Sequence, residues 1–149
     1  MKAHDAMTRK GERPVVIDAS QTVAEAIRMM RDRRVRAIII TDNGRLVGVV
    51  DSGTVFSRLD EIGGAALDEQ VAELVTEEAV TVGPDMQLSD VEHLFQEHGV
   101  NYIVVVDGGT VDGILTPVDV LRRLLDHVEF LNEHMCTYVS TAGYSEEGH

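Results

Sequence analysis

Two polar side chains three residues apart, Thr116 and Asp119, close an apolar run: Gly113-Ile114-Leu115-Thr116-Pro117-Val118-Asp119. A threonine hydroxyl beside the free N–H groups of a helix start can hold a phosphate. A carboxylate one turn further can accept hydrogen bonds from the 2′- and 3′-hydroxyls of a ribose. The same residues also suffice to begin a helix. Thr116 serves as N-cap, Pro117 takes the first helical position, where its missing N–H costs nothing, and Asp119 sits near the positive end of the helix dipole. Both readings use one geometry, so the elements that place the pair must be found.

Those elements occur twice. Residues 15–55 align with residues 80–120 at a constant offset of 65, which sets Val35 on Val100, Ile38 on Ile103, Asp42 on Asp107, Gly44 on Gly109 and Gly48 on Gly113. Each copy opens on a short β-rich stretch, Val15–Ile17 or Val80–Val82. A helix follows, with an apolar stripe of Val23, Ala26, Ile27 and Met30 or of Leu88, Val91, Leu94 and Phe95. In the first copy Thr22 and Glu25 have the spacing of a capping box. Continuous apolar runs, "AIII" and "YIVVV", predict strands buried on both faces. "DNG" and "DGG" predict tight hairpins, each leading to a second strand and then a helix, near 52–59 and 117–135. The unit is β-α-β-β-α. A unit of about 50 residues buries too little surface to stand alone, so two are expected to share their stability.

The bulk properties narrow the class. The chain of 149 residues is 44% hydrophobic but only 4% aromatic, so its core must be aliphatic. No apolar run approaches the roughly 18 residues that span a bilayer. The first 14 residues lack the apolar centre of a secretory signal, and the single cysteine, Cys136, excludes an intrachain disulfide. These features predict a cytoplasmic protein with no membrane contact. The net charge of −13 argues against nucleic acid. It is unevenly spread: residues 1–58 hold eleven Lys/Arg against seven Asp/Glu, and residues 59–149 hold two against nineteen.

The tandem β-α-β-β-α order, the closing "GILTPVD" and the lead-ins "AHDAMT" and "VAELVT" resemble the cystathionine β-synthase (CBS) domain pair, over roughly residues 3–126. The resemblance implies an α/β (α+β) fold of two repeats, 1–65 and 66–136, packed as a pseudo-twofold pair; the polar end, 137–149, is expected to be a disordered tail. It implies two clefts that bind adenosine compounds: AMP, ADP, ATP or S-adenosylmethionine. It also implies a regulatory, non-enzymatic role toward a partner protein, and homodimers built through the helices. Carried onto this chain, the nucleotide-binding positions are Thr76, Ala79, Val80, Val100, Asn101, Tyr102, Gly113, Thr116 and Asp119. Arg34 and Arg36 are candidate phosphate contacts, and Tyr102 can stack on a purine or simply pack.

The first copy departs from the pattern. Asp51 stands where Thr116 stands, and Thr54 where Asp119 stands. Asp51 would repel a phosphate, and Thr54 cannot accept two ribose hydrogen bonds, so this cleft is expected to be empty or to take a different ligand. Crowding three phosphates near such acids is unfavourable, which favours AMP or ADP over ATP. No nucleophile elbow or Gly-rich phosphate loop occurs, so no catalytic residue or cofactor is expected. Among the histidines, His127 and His134 with Glu133 are the closest to a metal set, and no metal site is assigned. Leu121, Leu124, Val128, Leu131 and Met135 recur at helical spacing as a seam for another helix. The charge split favours an antiparallel dimer, whereas this seam draws second repeats together. The alternative to a nucleotide sensor is a ligand-free interaction module.

Overall fold

The computed structural model describes residues 1–7 and 14–128. A short helix α1 (Ala3–Ala6) precedes the first repeat, which runs β1 (Val16–Asp18), α2 (Val23–Arg33), β2 (Ala37–Asp42), β3 (Arg45–Asp51) and α3 (Ser52–Ile62). Two 3-10 turns, Gly63–Asp68 and Val71–Leu74, lead to the second repeat: β4 (Val80–Val82), α4 (Leu88–His98), β5 (Ile103–Asp107), β6 (Thr110–Leu115) and α5 (117–128). Each repeat holds a three-stranded mixed sheet, ordered β1-β2-β3 or β4-β5-β6, with the first pair parallel and the second antiparallel. Both hairpins carry a bulge at the same place, Ile40/Thr41 and Val105/Val106. Their turns place both central residues at positive φ, Asn43 and Gly44 in one and Gly108 and Gly109 in the other. That is the twist a two-residue hairpin needs.

The apolar runs are buried on both faces, as expected. Ile38 and Ile40 join the helix-side core with Val23, Ala26 and Met30 of α2, and Ile103 and Val105 pack likewise against Leu88, Val91 and Phe95 of α4. Ile39 and Val104 point to the opposite faces and are just as inaccessible. Two local expectations change. Thr22 does accept the Glu25 N–H at 3.2 Å. The Glu25 carboxylate, however, pairs with Arg28 at 2.6 Å, so only half of a capping box forms. Along α5, Leu124 turns inward to the second core, while Leu121 and Val128 stay exposed. The exposed stripe is therefore Val118, Leu121, Leu125 and Val128. Leu131 and Met135 lie outside the described residues.

One feature has no precedent in the sequence pattern: each repeat's lead-in packs onto the other repeat. Ala3 and Ala6 of α1 are buried in the second core, and Val71 and Leu74 are buried in the first. The backbone contacts repeat with the same symmetry. The Ala3 N–H donates to the Met86 carbonyl, and the Val71 N–H to the Gln21 carbonyl, both at 2.7 Å. Single bridges join Lys2 to Gln87 and Thr22 to Gln70. Two buried strand glycines receive the ends of these segments. A Cβ on Gly48 would lie 2.6 Å from Val75 Cγ1, and one on Gly113 would lie 2.8 Å from Met7 Sδ.

Candidate functional site

The two strand-to-helix junctions use the same two residue types in opposite order. At β3–α3, Asp51 is the N-cap, and one of its carboxylate oxygens, Oδ1, accepts both the Thr54 N–H (2.8 Å) and the Thr54 hydroxyl (2.9 Å). At β6–α5, the bonds are reciprocal. Thr116 Oγ1 accepts the Asp119 N–H at 3.2 Å, and Asp119 Oδ2 accepts the Thr116 N–H at 2.9 Å. This is a complete capping box. It fixes a hydroxyl and a carboxylate on one face of the first turn, where helix N–H groups and dipole favour an anion.

A cleft of about 250 Å³ opens between the repeats at the first junction. Val49, Asp51 and Thr54 form one wall. Glu77, Glu78, Ala79 and Val80, ahead of and entering β4, and Gly99, Val100, Asn101 and Tyr102, ahead of β5, form the others. Three carboxylates and no cation line it. Tyr102 binds the repeats together here. Burial raises its pKa first, and the Asp51 carboxylate beside it and a hydrogen bond to that carboxylate raise it further, to about 12; nearby Arg36 opposes weakly. An unfolded tyrosine ionises near 10. The stability from this contact is thus complete below pH 10 and lost as pH rises from about 10 to about 12. A tyrosinate absorbance titration should show one of the three tyrosines ionising late, and Tyr102→Phe should abolish that step.

The positions inferred from sequence therefore divide. Ala79, Val80, Val100, Asn101 and Tyr102 come together in the cleft beside Asp51 and Thr54. Thr116 and Asp119 stand at the other junction and are absent from that lining. Gly113 is buried under Met7, and Thr76 is exposed outside the cleft. Glu77 and Glu78 lie between the inferred positions Thr76 and Ala79, yet the offset compares residues within a repeat and cannot reveal that this stretch faces Asp51. Applied to the lining, the same offset of 65 turns Gly99, Asn101, Asp51 and Thr54 into Arg34, Arg36, Thr116 and Asp119. The counterparts of Glu77 and Glu78 fall at residues 12 and 13, outside the described residues. Arg34 caps α2 in the left-handed conformation, and the Arg36 carbonyl accepts the Ser52 N–H at 2.9 Å. Both arginine side chains are exposed.

Among the described residues, no group of three or more His, Cys, Asp or Glu is placed to hold a metal. His127 is described, but Glu133, His134 and Cys136 are not. No described helix is long and apolar enough to cross a membrane.

The chain is 26% identical over 119 residues to the A-adding tRNA nucleotidyltransferase of Aquifex aeolicus; the match takes in 79% of this chain but 14% of that enzyme. Among solved structures it resembles the CBS-domain containing protein ATU1752 from Agrobacterium tumefaciens, with a TM-score of 0.73 and 19% identity over 83% of this chain and 98% of the other. It also resembles CBSX2, solved in complex with AMP, with a TM-score of 0.66 and 27% identity over 84% and 96% of the two chains. The CBS domain model matches residues 3–61 and 71–126. Two repeats of matching topology, with a cleft at the first strand-to-helix junction, coincide with that match, and the chain belongs to the CBS-domain family.

Proposed function

We propose that the chain is a non-catalytic, cytosolic regulator that binds an adenine nucleotide at the Thr116–Asp119 junction, works as a homodimer and passes the signal to a partner protein. The observation that carries this reading is the reciprocal Thr116–Asp119 pair, held at a helix start with a hydroxyl and a carboxylate side by side. A carboxylate has about four lone-pair sites, so accepting the Thr116 N–H is compatible with Asp119 also accepting from ribose hydroxyls. Charge favours the same junction. The positions equivalent to Gly99 and Asn101 are Arg34 and Arg36, whereas the cleft at Asp51 gathers acids that would repel a phosphate. The AMP bound by CBSX2 supports the ligand class.

Thermal shift with AMP, ADP, ATP, S-adenosylmethionine and NADH tests the reading. A ligand present at 100 times its dissociation constant should stabilise the protein by about 2.7 kcal/mol. With one helix N-terminus and Thr116 as the main phosphate contacts, AMP or ADP should exceed ATP in magnesium-free competition. The completeness of the capping box favours a second reading, a ligand-free interaction module, because capping alone accounts for the bonds between Thr116 and Asp119. No shift with any of the five compounds would select it.

A further inference from the structure

The last strand of each repeat carries a buried glycine, and the residue that ends the other repeat's lead-in fills the notch it leaves. The two fillers differ in chemistry. Val75, over Gly48, is a hydrocarbon with no atom that a mild oxidant attacks. Over Gly113 stands the thioether of Met7. A Cβ on Gly113 would lie 2.8 Å from Met7 Sδ and 3.7 Å from Cγ, so the sulfur occupies the room a side chain would take.

Met7 packs against the second core and keeps part of its surface in water. A small oxidant can therefore reach the sulfur. Met30, by contrast, is 7% exposed and enclosed in the first core. Met1, Met29 and Met86 are partly buried against core side chains. Only Met7 joins an accessible sulfur to a notch in a central position of a repeat, and Gly113 is three residues before Thr116.

We infer that Met7 is a reversible oxidation site that unlocks the N-terminal lead-in from the second repeat. A lone pair on Sδ attacks the O–O bond of a hydroperoxide. An S–O bond forms as the O–O bond breaks, and the departing hydroxyl takes the proton of the transferred oxygen and leaves as water. Sulfur is oxidised by two electrons and the peroxide is reduced by two. The sulfoxide is larger and polar. Its oxygen has no room above Gly113, and holding it against an apolar core without a donor is unfavourable. The Met7 end of the lead-in then lifts into water. The bonds from the Ala3 N–H to Met86 and from the Leu88 N–H to Met1 hold the other end, so the segment opens from Met7 rather than leaving whole. Loosened packing on Gly113 carries along β6 to Thr116 and weakens ligand binding there. This last coupling rests on the nucleotide site proposed above.

The full chain is treated with hydrogen peroxide, and its six methionines are followed by peptide mass mapping. Met7 should gain one oxygen well before Met30. Amide hydrogen exchange across residues 3–6 should quicken, and the unfolding midpoint should fall by about 2–4 °C. Methionine sulfoxide reductases for the two epimers should together reverse both changes. Met7→Leu, which keeps the volume without the sulfur, should hold its exchange and its midpoint through the same treatment. Met7→Gln should reproduce the oxidised behaviour without peroxide. A Met7 that stays unoxidised while Met1, Met29 and Met86 react overturns the site. A Met7→Leu variant that loses as much as the parent overturns the unlocking. For the coupling, AMP titration of the oxidised parent should show about three- to tenfold weaker binding, and unchanged affinity overturns it. Failure of the untreated parent to bind AMP overturns the nucleotide reading and the coupling together, while the mass and exchange results still decide the oxidation site.

Discussion

Asp119→Ala is expected to weaken adenine nucleotide binding by about ten- to a hundredfold. A hydrogen bond to a charged group is worth roughly 1.5–3 kcal/mol, and tenfold in affinity corresponds to about 1.4 kcal/mol. Asp119 also accepts the Thr116 N–H, so its removal loosens the helix start as well. Asp119→Asn separates the two effects. The amide oxygen can still accept the Thr116 N–H, while the charge proposed to face the ribose is gone. Isothermal titration calorimetry should therefore show both variants binding weakly, with urea unfolding showing the asparagine variant nearer the parent in stability. Thr54→Ala, at the opposite junction, should change nucleotide affinity little. Equal losses at Thr54 and Asp119 would place the ligand elsewhere.

A second large effect is expected from Gly48→Ala, a loss of about 1–3 kcal/mol in unfolding free energy, the usual cost of overfilling a packed site. The new Cβ would stand 2.6 Å from Cγ1 and 3.2 Å from Cγ2 of Val75. Valine is branched at Cβ and stiff about χ1, so it cannot swing clear. The symmetry-related Gly113→Ala should cost less, because its obstacle is the thioether of Met7, part of an unbranched and adaptable chain. Val75→Ala introduced alongside Gly48→Ala should recover part of the loss. Chemical denaturation of the four proteins checks the ranking, and a Gly113→Ala cost exceeding that of Gly48→Ala would contradict it.

Much of the architecture could be read from residue types. Glycines at the hairpins and continuous β-branched runs set the offset, and Ile38–Ile40 and Ile103–Val105 proved buried on both faces because such runs leave no polar side to expose. Helix stripes were harder. Leu121 and Leu124 both fit an apolar spacing of three or four, and only the position of the second core separates the exposed one from the partly buried one. The candidate site was the least accessible to such reading. Val100–Tyr102 and Thr116–Asp119 belong to one repeat and one family pattern, yet the first group lines the cleft at Asp51. A periodicity describes faces within an element; it carries no information on which repeat's junction a loop comes to face. The engagement of Ala3 by Met86 is similarly silent, since it rests on a backbone bond and on small side chains rather than on a patterned face.

The crossed lead-ins make the pair, rather than the repeat, the smallest cooperative unit. If the chain were cut between Gly63 and Gly64, the N-terminal piece would carry α1, which belongs under the other piece's sheet. The C-terminal piece would carry Val71 and Leu74, which belong under the first. Each fragment would hold its counterpart's plug and lack its own. The two should therefore complement each other when mixed. Either fragment alone could close its groove only by borrowing the missing segment from another molecule. Such contacts, spanning more than 80 residues between Ala3 and Met86, also raise the sequence separation that folding must close, and with it the expected folding time.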